Sequence, residues 1–448
     1  MSGLVSDALA ANLELDGAGA QTAQRLAALD QARALYLPSL DLNARYTRAN
    51  GGRTIDFPVG DLLNPVYATL NQITGTSKFP AVQNQEINFQ RTREQDTQVS
   101  LTQPLYDARI SAGRAAAQSQ YEASTAARTA LAGRIARDMR EAYYRWLQAR
   151  AQIGIFDATL ELAAENRRVN ESLFRNGKIT RDLVFRAEAD LLEVQQSQLG
   201  AQNSVRLAQS YVNLIRNAPF ERALPTVEVE NPDIDRVRND LAVRAAQPAL
   251  SLAPLQDAAI HQRYELRQLD AISAAAAAGE RLARAAFKPR LAFALDVGTQ
   301  GETYALSSDD RYLLASVVLK FNFFAGGADE AGIANARAVE REVRANRSLQ
   351  EQQIRLQVQQ ALQDFEFTQA SLGTAAKRVE AAAGAFRIAS RKRDLGQINQ
   401  AEFIDSRRAM TDAQLNLNLT RFAALGNLAE LEYALGTDSH YVPTVGQP

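Results

Sequence analysis

Residues 358–389 read VQQALQD FEFTQAS LGTAAKR VEAAAGA FRIA, and their spacing governs how the rest of the chain is read. Val358, Phe365, Leu372, Val379 and Phe386 recur at every seventh position, and Ala361, Thr368, Ala375, Ala382 and Ala389 follow each of them at the third. This is the a/d pattern of a left-handed coiled coil. Large side chains fill one row and small ones the other, so a neighbouring helix can approach closely. The pattern sits inside a helix expected over 327–395, which at 1.5 Å per residue would make a rod of about 100 Å.

The same landmarks occur a second time. Met139/Ala142, Trp146/Ala149, Ile153/Phe156 and Leu160/Ala163 repeat the large and small pairs along a helix expected over 107–176, and Gly177 stands where Gly396 stands in the other copy. Shorter helices expected over 180–217 and 399–435 have heptads of their own, through Val184, Leu191, Val205 and Val212 and through Phe403, Met410, Leu417 and Leu431. Further upstream, Asn12-Leu13-Glu14-Leu15 matches Arg263-Tyr264-Glu265-Leu266, and Tyr36-Leu37-Pro38-Ser39-Leu40 matches Phe287-Lys288-Pro289-Arg290-Leu291. The unit helix, strand, strand, long helix, short helix is therefore used twice, over 1–217 and 251–435. Between the copies lies an irregular segment, 218–250, in which Pro219, Pro225, Pro232 and Pro248 break helix, and a tail, 436–448, follows.

Alternation of period two predicts strands over 38–49, 97–106, 289–298 and 312–324. In the last of these Leu313, Ala315, Val317, Leu319, Phe321 and Phe323 share one side, opposite Ser316, Lys320 and Asn322. Residues 50–96, rich in Gly, Pro, Asn and Thr, read as a long loop, with 299–311 as its short counterpart. Residues 4–36 read as one helix ended by Pro38.

Composition limits what the chain can do. Its 448 residues would ordinarily suggest two or three domains, but a rod could use the same length. The net charge of −1 offers no basic field to nucleic acid. Cysteine is absent and His261 and His440 are the two histidines, which excludes thiol chemistry and a histidine-rich metal site within one subunit. No nucleophile elbow, phosphate loop, HExxH or dinucleotide fingerprint is present, so no catalytic residue and no cofactor is assigned. No apolar run is long enough for a transmembrane helix. The opening Met1-Ser2-Gly3 shows no signal peptide and reads as a mature chain with a replaced leader; a cytosolic protein is the alternative.

Each repeat supplies two strands of about ten residues, near the length a tilted strand needs to cross a bilayer. Four strands cannot close a barrel, and an open edge cannot face lipid. Either the strands form a small soluble sheet packed on helices, or several subunits pool them. The unbroken apolar face of the last strand favours lipid outside and water inside.

At this point the residues resemble the TolC-type outer-membrane efflux family over nearly the whole chain. The resemblance is carried by Tyr36-Leu37-Pro38-Ser39-Leu40, Gln103-Pro104-Leu105-Tyr106-Asp107, Phe323-Phe324-Ala325-Gly326-Gly327 and the turns at Gly177 and Gly396, in that order within a duplicated unit. It implies a mainly α fold with a membrane β-barrel: a homotrimer forming a 12-stranded barrel in the outer membrane on a 12-helix tunnel through the periplasm. The implied partners are a periplasmic adaptor (membrane fusion protein), an inner-membrane pump of RND, ABC or similar type, and outer-membrane lipid. The implied function is a passive duct exporting small toxic molecules or drugs. Alternatives are the conduit of a type I protein secretion system and, in another class, a soluble coiled-coil scaffold.

The resemblance also points to residues. Glu402 and Asp405 match the family's pair of pore-lining acids, which three-fold symmetry would turn into carboxylate rings that attract cations. Asn399-Gln400-Ala401-Glu402 equally has capping-box character. Asp182 lies near another acid of the family's tip, one residue closer to Gly177 than the pattern expects. Arg393 is expected to pair with Asp182 as a gate; the alternative is two exposed charges. Asn176-Gly177-Lys178 and Leu395-Gly396-Gln397 match the tips that meet the adaptor, although a glycine at a helix end needs no partner to explain it.

Overall fold

The structure, a computed structural model, describes residues 1–226, 252–303 and 310–437. Most of the expected irregular segment 218–250, the centre of the 299–311 loop and nearly all of the tail 436–448 lie outside the described residues. The first repeat contains α1 (Ser2–Ala11), α2 (Leu13–Ala34), β1 (Ser39–Arg48), β2 (Thr54–Phe57), α3 (Val59–Thr74), β3 (Gln85–Asn88), β4 (Arg93–Tyr106), α4 (Ala108–Arg175) and α5 (Arg181–Ile215). The second contains α6 (Leu252–Gln262), α7 (Tyr264–Arg284), β5 (Arg290–Gly301), β6 (Arg311–Lys320), α8 (Ala328–Asp394) and α9 (Gln400–Leu435). No described helix is long and apolar enough to cross a membrane. The chain divides into two units, one of 29–115 with 278–336 and the other of 1–28, 116–277 and 337–448.

The first unit holds an antiparallel sheet in the order β1-β4-β5-β6. Its register sorts the side chains row by row. Leu42, Val99, Val297 and Leu313 form one row across the strands, and Leu40, Leu101, Leu295 and Ala315 form the next. Phe293 with Val317 and Leu291 with Leu319 continue the same face. From Val297 to Leu291 this apolar band runs about 20 Å along the strand. The opposite face holds Asp41, Ser100 and Asp296, then Asn43, Gln98 and Tyr312, with an Arg45–Asp96 ion pair at 3.5 Å. The apolar side is bare: Leu40, Leu42, Leu313 and Leu319 are each about two-thirds exposed or more. A sheet packed on its helices would have buried them. β1 and β6 are the edges, and among the described residues nothing pairs outside them.

Several boundaries differ from expectation, each for a local reason. β6 ends at Lys320 rather than at 324. Asn322 turns out of the ladder and donates through Nδ2 to Asp329 Oδ2 at 2.6 Å, while Phe321 and Phe323 stack edge to face at 4.8 Å. Gly326 and Gly327 then take positive φ values of 62° and 84° on the way into α8. β4 begins earlier than expected, at Arg93, and slips register between Pro104 and Tyr106, where proline cannot donate to the ladder.

Residues 50–96 are not a plain loop. β2 pairs with β3, α3 lies between them, and extended chain is pinned to α3 by asparagine side chains acting as backbone substitutes. Asn64 accepts from Val82 N at 2.7 Å and donates to Val82 O at 2.9 Å; Asn71 does the same with Phe79 at 3.1 and 2.8 Å. The Asn- and Pro-rich composition that reads as loop is the means of folding a segment with little core.

In the second unit the heptad rows are buried at Met139, Ala142, Trp146 and Ala163 along α4 and at Val358, Ala361, Phe365 and Ala375 along α8, while Ile153, Leu160, Leu372, Val379 and Phe386 are half-buried. Each long helix anchors its own cluster, one with Val212, Ile215 and Phe422, the other with Leu266, Leu428 and Leu431. The expected single helix over 4–36 is broken at Asn12, whose backbone is extended. Asn12 Oδ1 accepts from Glu14 N and Leu15 N at 2.9 and 3.2 Å, capping α2, and its Nδ2 donates to Ile215 O at the end of α5 at 2.8 Å. Arg263 occupies the matching break between α6 and α7. It forks onto Glu265 at 2.7 and 2.9 Å and donates to Ala434 O at the end of α9 at 3.2 Å. Both repeats therefore tie the same joint to the end of their own short helix, with different chemistry.

Candidate functional site

Two helix reversals organise the polar residues that the sequence singled out. At the end of α4, Gly177 has φ 70°, its N–H donates to Phe174 O at 2.9 Å, and Lys178 N donates to Leu173 O at 2.9 Å. At the end of α8, Gly396 has φ 68°, with its N–H on Arg393 O at 2.9 Å and Gln397 N on Lys392 O at 2.8 Å. This crossed pair of bonds is the Schellman ending, which needs a left-handed residue. A Cβ at either glycine would meet nothing within 4 Å, so backbone conformation and not crowding selects glycine there. Asn176, Gly177, Lys178, Leu395, Gly396 and Gln397 are all exposed. The two turns present similar, unencumbered surfaces.

Beyond the second turn, Asn399 caps α9 by accepting from Glu402 N at 2.8 Å. The cap leaves the Glu402 side chain exposed, and Asp405, three residues on, is exposed as well. Their i, i+3 spacing sets both carboxylates on one helix face. Asp412 lies seven residues beyond Asp405, exposed along the same face.

Arg393 does not pair with Asp182 within the chain. Its guanidinium donates to Asp394 Oδ1 at 2.8 and 3.1 Å and lies over the Phe403 ring at 4.4 Å. Phe403 is buried and also meets Phe386 at 5.6 Å, so Arg393 closes the seam between α8 and α9. An adjacent carboxylate and an aromatic face satisfy the cation locally. Asp182, in the first turn of α5, is exposed.

Sequence reading missed the polar layer behind these turns. Arg407 of α9 donates to Asp190 of α5 at 2.7 Å, with both side chains 3% or less exposed. Arg408 reaches Asp190 at 3.6 Å and Glu193 at 2.6 Å. Nearby, Thr159 and Thr411 share a hydrogen bond at 3.1 Å, and Asn170 donates to Asn166 Oδ1 at 3.1 Å and to Gln400 Oε1 at 3.3 Å. Arg407 Nε, Asp190 Oδ2, Asn166 Nδ2 and Gln400 Nε2 are buried and find no partner among the described residues. α4, α5 and α9 are thus joined near the turns through polar groups that fit imperfectly. A residue type that is seldom buried, with a partner 217 positions away, leaves no local pattern to read.

Among the described residues no group of three or more His, Asp or Glu is placed to hold a metal ion. The arrangement offers exposed carboxylates on a helix face, two free glycine turns and a bare apolar sheet. Comparison with curated protein sequences finds no match. The family model described as "Outer membrane efflux protein" matches residues 4–216 and 255–437. Among solved structures the fold is similar to the outer-membrane channel OprN, with 18% identity, a TM-score of 0.78, and coverage of 98% of this chain and 90% of the other. It is also similar to the CmeC outer membrane channel of Campylobacter jejuni, with 14% identity, a TM-score of 0.78 and coverage of 97% and 85%. The outer membrane protein VceC of Vibrio cholerae shows 18% identity, a TM-score of 0.75 and coverage of 97% and 95%.

Proposed function

The chain belongs to the outer membrane efflux protein family, and from that membership we propose that three copies form one passive export duct through the outer membrane and periplasm. The observation that carries this reading is the sheet: four strands, one bare apolar face and two unpaired edges. Lipid cannot satisfy an open edge, so β6 of one copy must meet β1 of the next. Four strands from each of three copies make twelve, with the apolar band against lipid and the row of Asp41, Ser100 and Asp296 towards water. Tyr36, Tyr106, Phe321, Phe323 and Phe324, exposed at the helix end of the sheet, suit the aromatic girdle of such a barrel.

In this reading Glu402 and Asp405 line the constriction as carboxylate rings, and the cargo is small toxic molecules or drugs delivered by an inner-membrane pump of RND, ABC or similar type. The test is conductance of the purified chain in a planar bilayer, with a multivalent cation added on the side of the turns. Stable small steps are expected, blocked by the cation, with block in Glu402→Ala/Asp405→Ala needing at least about tenfold more cation, a loss of about 1.4 kcal/mol. Steps without block would keep the duct and discard the ring. A chain that makes no steps and stays soluble without detergent would end the proposal.

The exposed turns at 176–178 and 395–397 are the surfaces proposed to meet the periplasmic adaptor. Gly177→Val/Gly396→Val forces a branched residue into positive φ at a cost of about 1–3 kcal/mol for each turn. Trimers are expected to persist on gels while co-purification with the adaptor falls at least about tenfold. Undiminished co-purification and export would remove the turns from the interface.

A further inference from the structure

We propose that the helix end of the sheet carries a cationic collar that binds polyvalent anions inside the duct, an inference that rests on the barrel reading above. In the β5–β6 register Arg290 lies directly opposite Lys320. Like charges in that position weaken a ladder, so the pair calls for a counter-charge. Lys288, on the approach to β5, and Arg109 of α4 join them around one cavity of about 500 Å³. Lys288 also lines a second cavity of about 610 Å³ together with Arg281 and Arg284.

Two nearby carboxylates are engaged by arginines: Asp107 accepts from Arg109 at 2.6 and 3.1 Å, and Glu280 from Arg284 at 2.9 and 3.2 Å. Asp329, which lines the first cavity, accepts from the neutral Asn322 amide at 2.6 Å and keeps its charge, one against those of Lys288, Arg290 and Lys320. Among the described residues Arg281, Lys288, Arg290 and Lys320 have no bonded carboxylate. On the same face of the sheet the next acids along β5 and β1 are Asp296 and Asp41, which share a row. Six residues separate Asp296 from Arg290, about 20 Å of strand. That is more than two Debye lengths at physiological salt, so those acids do not neutralise the collar.

Parity separates the collar from lipid. Arg290 and Lys320 face away from Leu291 and Leu319, which belong to the apolar band. Repeated by three-fold symmetry, they form a ring of fixed cations in a low-dielectric wall, which concentrates anions. The ligand class is solutes with two or more carboxylate, phosphate or sulfate groups; Phe287, beside Lys288 in the second cavity, favours those that also carry an apolar part.

The experiment uses the purified full chain in a bilayer of neutral lipid, with inorganic tripolyphosphate added on the barrel side. Wild-type steps are expected to be blocked, and Arg290→Gln/Lys320→Gln to need at least about tenfold more blocker at unchanged step size, with the reversal potential in a salt gradient moving towards cation preference. Lys288→Gln, outside the strands, is expected to move in the same direction and serves if the double variant fails to assemble. Steps that tripolyphosphate does not block, or blocks equally in wild type and variants, would overturn the collar and leave the duct standing. Absence of steps in the wild-type chain would overturn the duct and the collar with it.

Discussion

Leu295→Arg is expected to abolish insertion of the chain into lipid, while Ser100→Arg, on the opposite face of the same sheet, is expected to leave it intact. Leu295 lies in the second row of the apolar band, between Leu101 and Ala315. An arginine near the midplane on the lipid side of a barrel costs about 2–4 kcal/mol. Three copies multiply this to roughly 6–12 kcal/mol for the assembly, comparable with the stability of a whole domain. Ser100 instead sits between Asp41 and Asp296, where a cation is welcome. The measurement is recovery of oligomer from liposomes on unheated gels, together with bilayer conductance. Normal insertion of Leu295→Arg with failure of Ser100→Arg would invert the assignment of the two faces.

Asp190→Ala is expected to destabilise the helices near the turns by about 3–5 kcal/mol per chain, because it strands a buried guanidinium without its carboxylate. Asp190→Leu/Arg407→Leu removes both charges and is expected to be neutral or stabilising, since a buried pair seldom repays its desolvation. The contrast separates a pair that stabilises from a pair that is merely costly to break. Denaturant midpoints of the detergent-solubilised protein, with hydrogen exchange along α9, measure it. A single variant losing less than about 1 kcal/mol would mean that Glu193, already bonded to Arg408, takes over the role of Asp190.

Much of the helical architecture was legible because it is periodic. The rows through Val358 and Ala361, and through Met139 and Ala142, are buried along part of their length, and the members nearer the turns, such as Leu372 and Val379, are half-buried. The strands were legible for the same reason, and the register turns their alternation into two faces. What escaped was not periodic. The break at Asn12 leaves the apolar spacing on either side unchanged, and its signal was one capping residue ahead of Glu14. The folding of 50–96 depends on single asparagines bonding backbone 8 and 18 residues away. At the candidate site the turns were marked by their glycines, and the acids were pointed to by the family resemblance. The partner of Arg393 could not be named, because Asp182 and Asp394 are equally good carboxylates on paper and only packing against Phe403 chooses between them.

The two matching joints have a consequence for symmetry. Asn12 ties its joint with neutral hydrogen bonds, whereas Arg263 ties the equivalent one with a charge held by Glu265. Burial alone would raise the Glu265 carboxyl, but Arg263 and the Tyr433 hydroxyl outweigh it and hold the group below its ordinary range. A closed ring of three such chains would have six joints alike in shape, tied alternately by a neutral amide and by a guanidinium. Its backbone would be nearly six-fold, yet the ties would differ at every second joint, so the ring would repeat as a triangle and not as a hexagon.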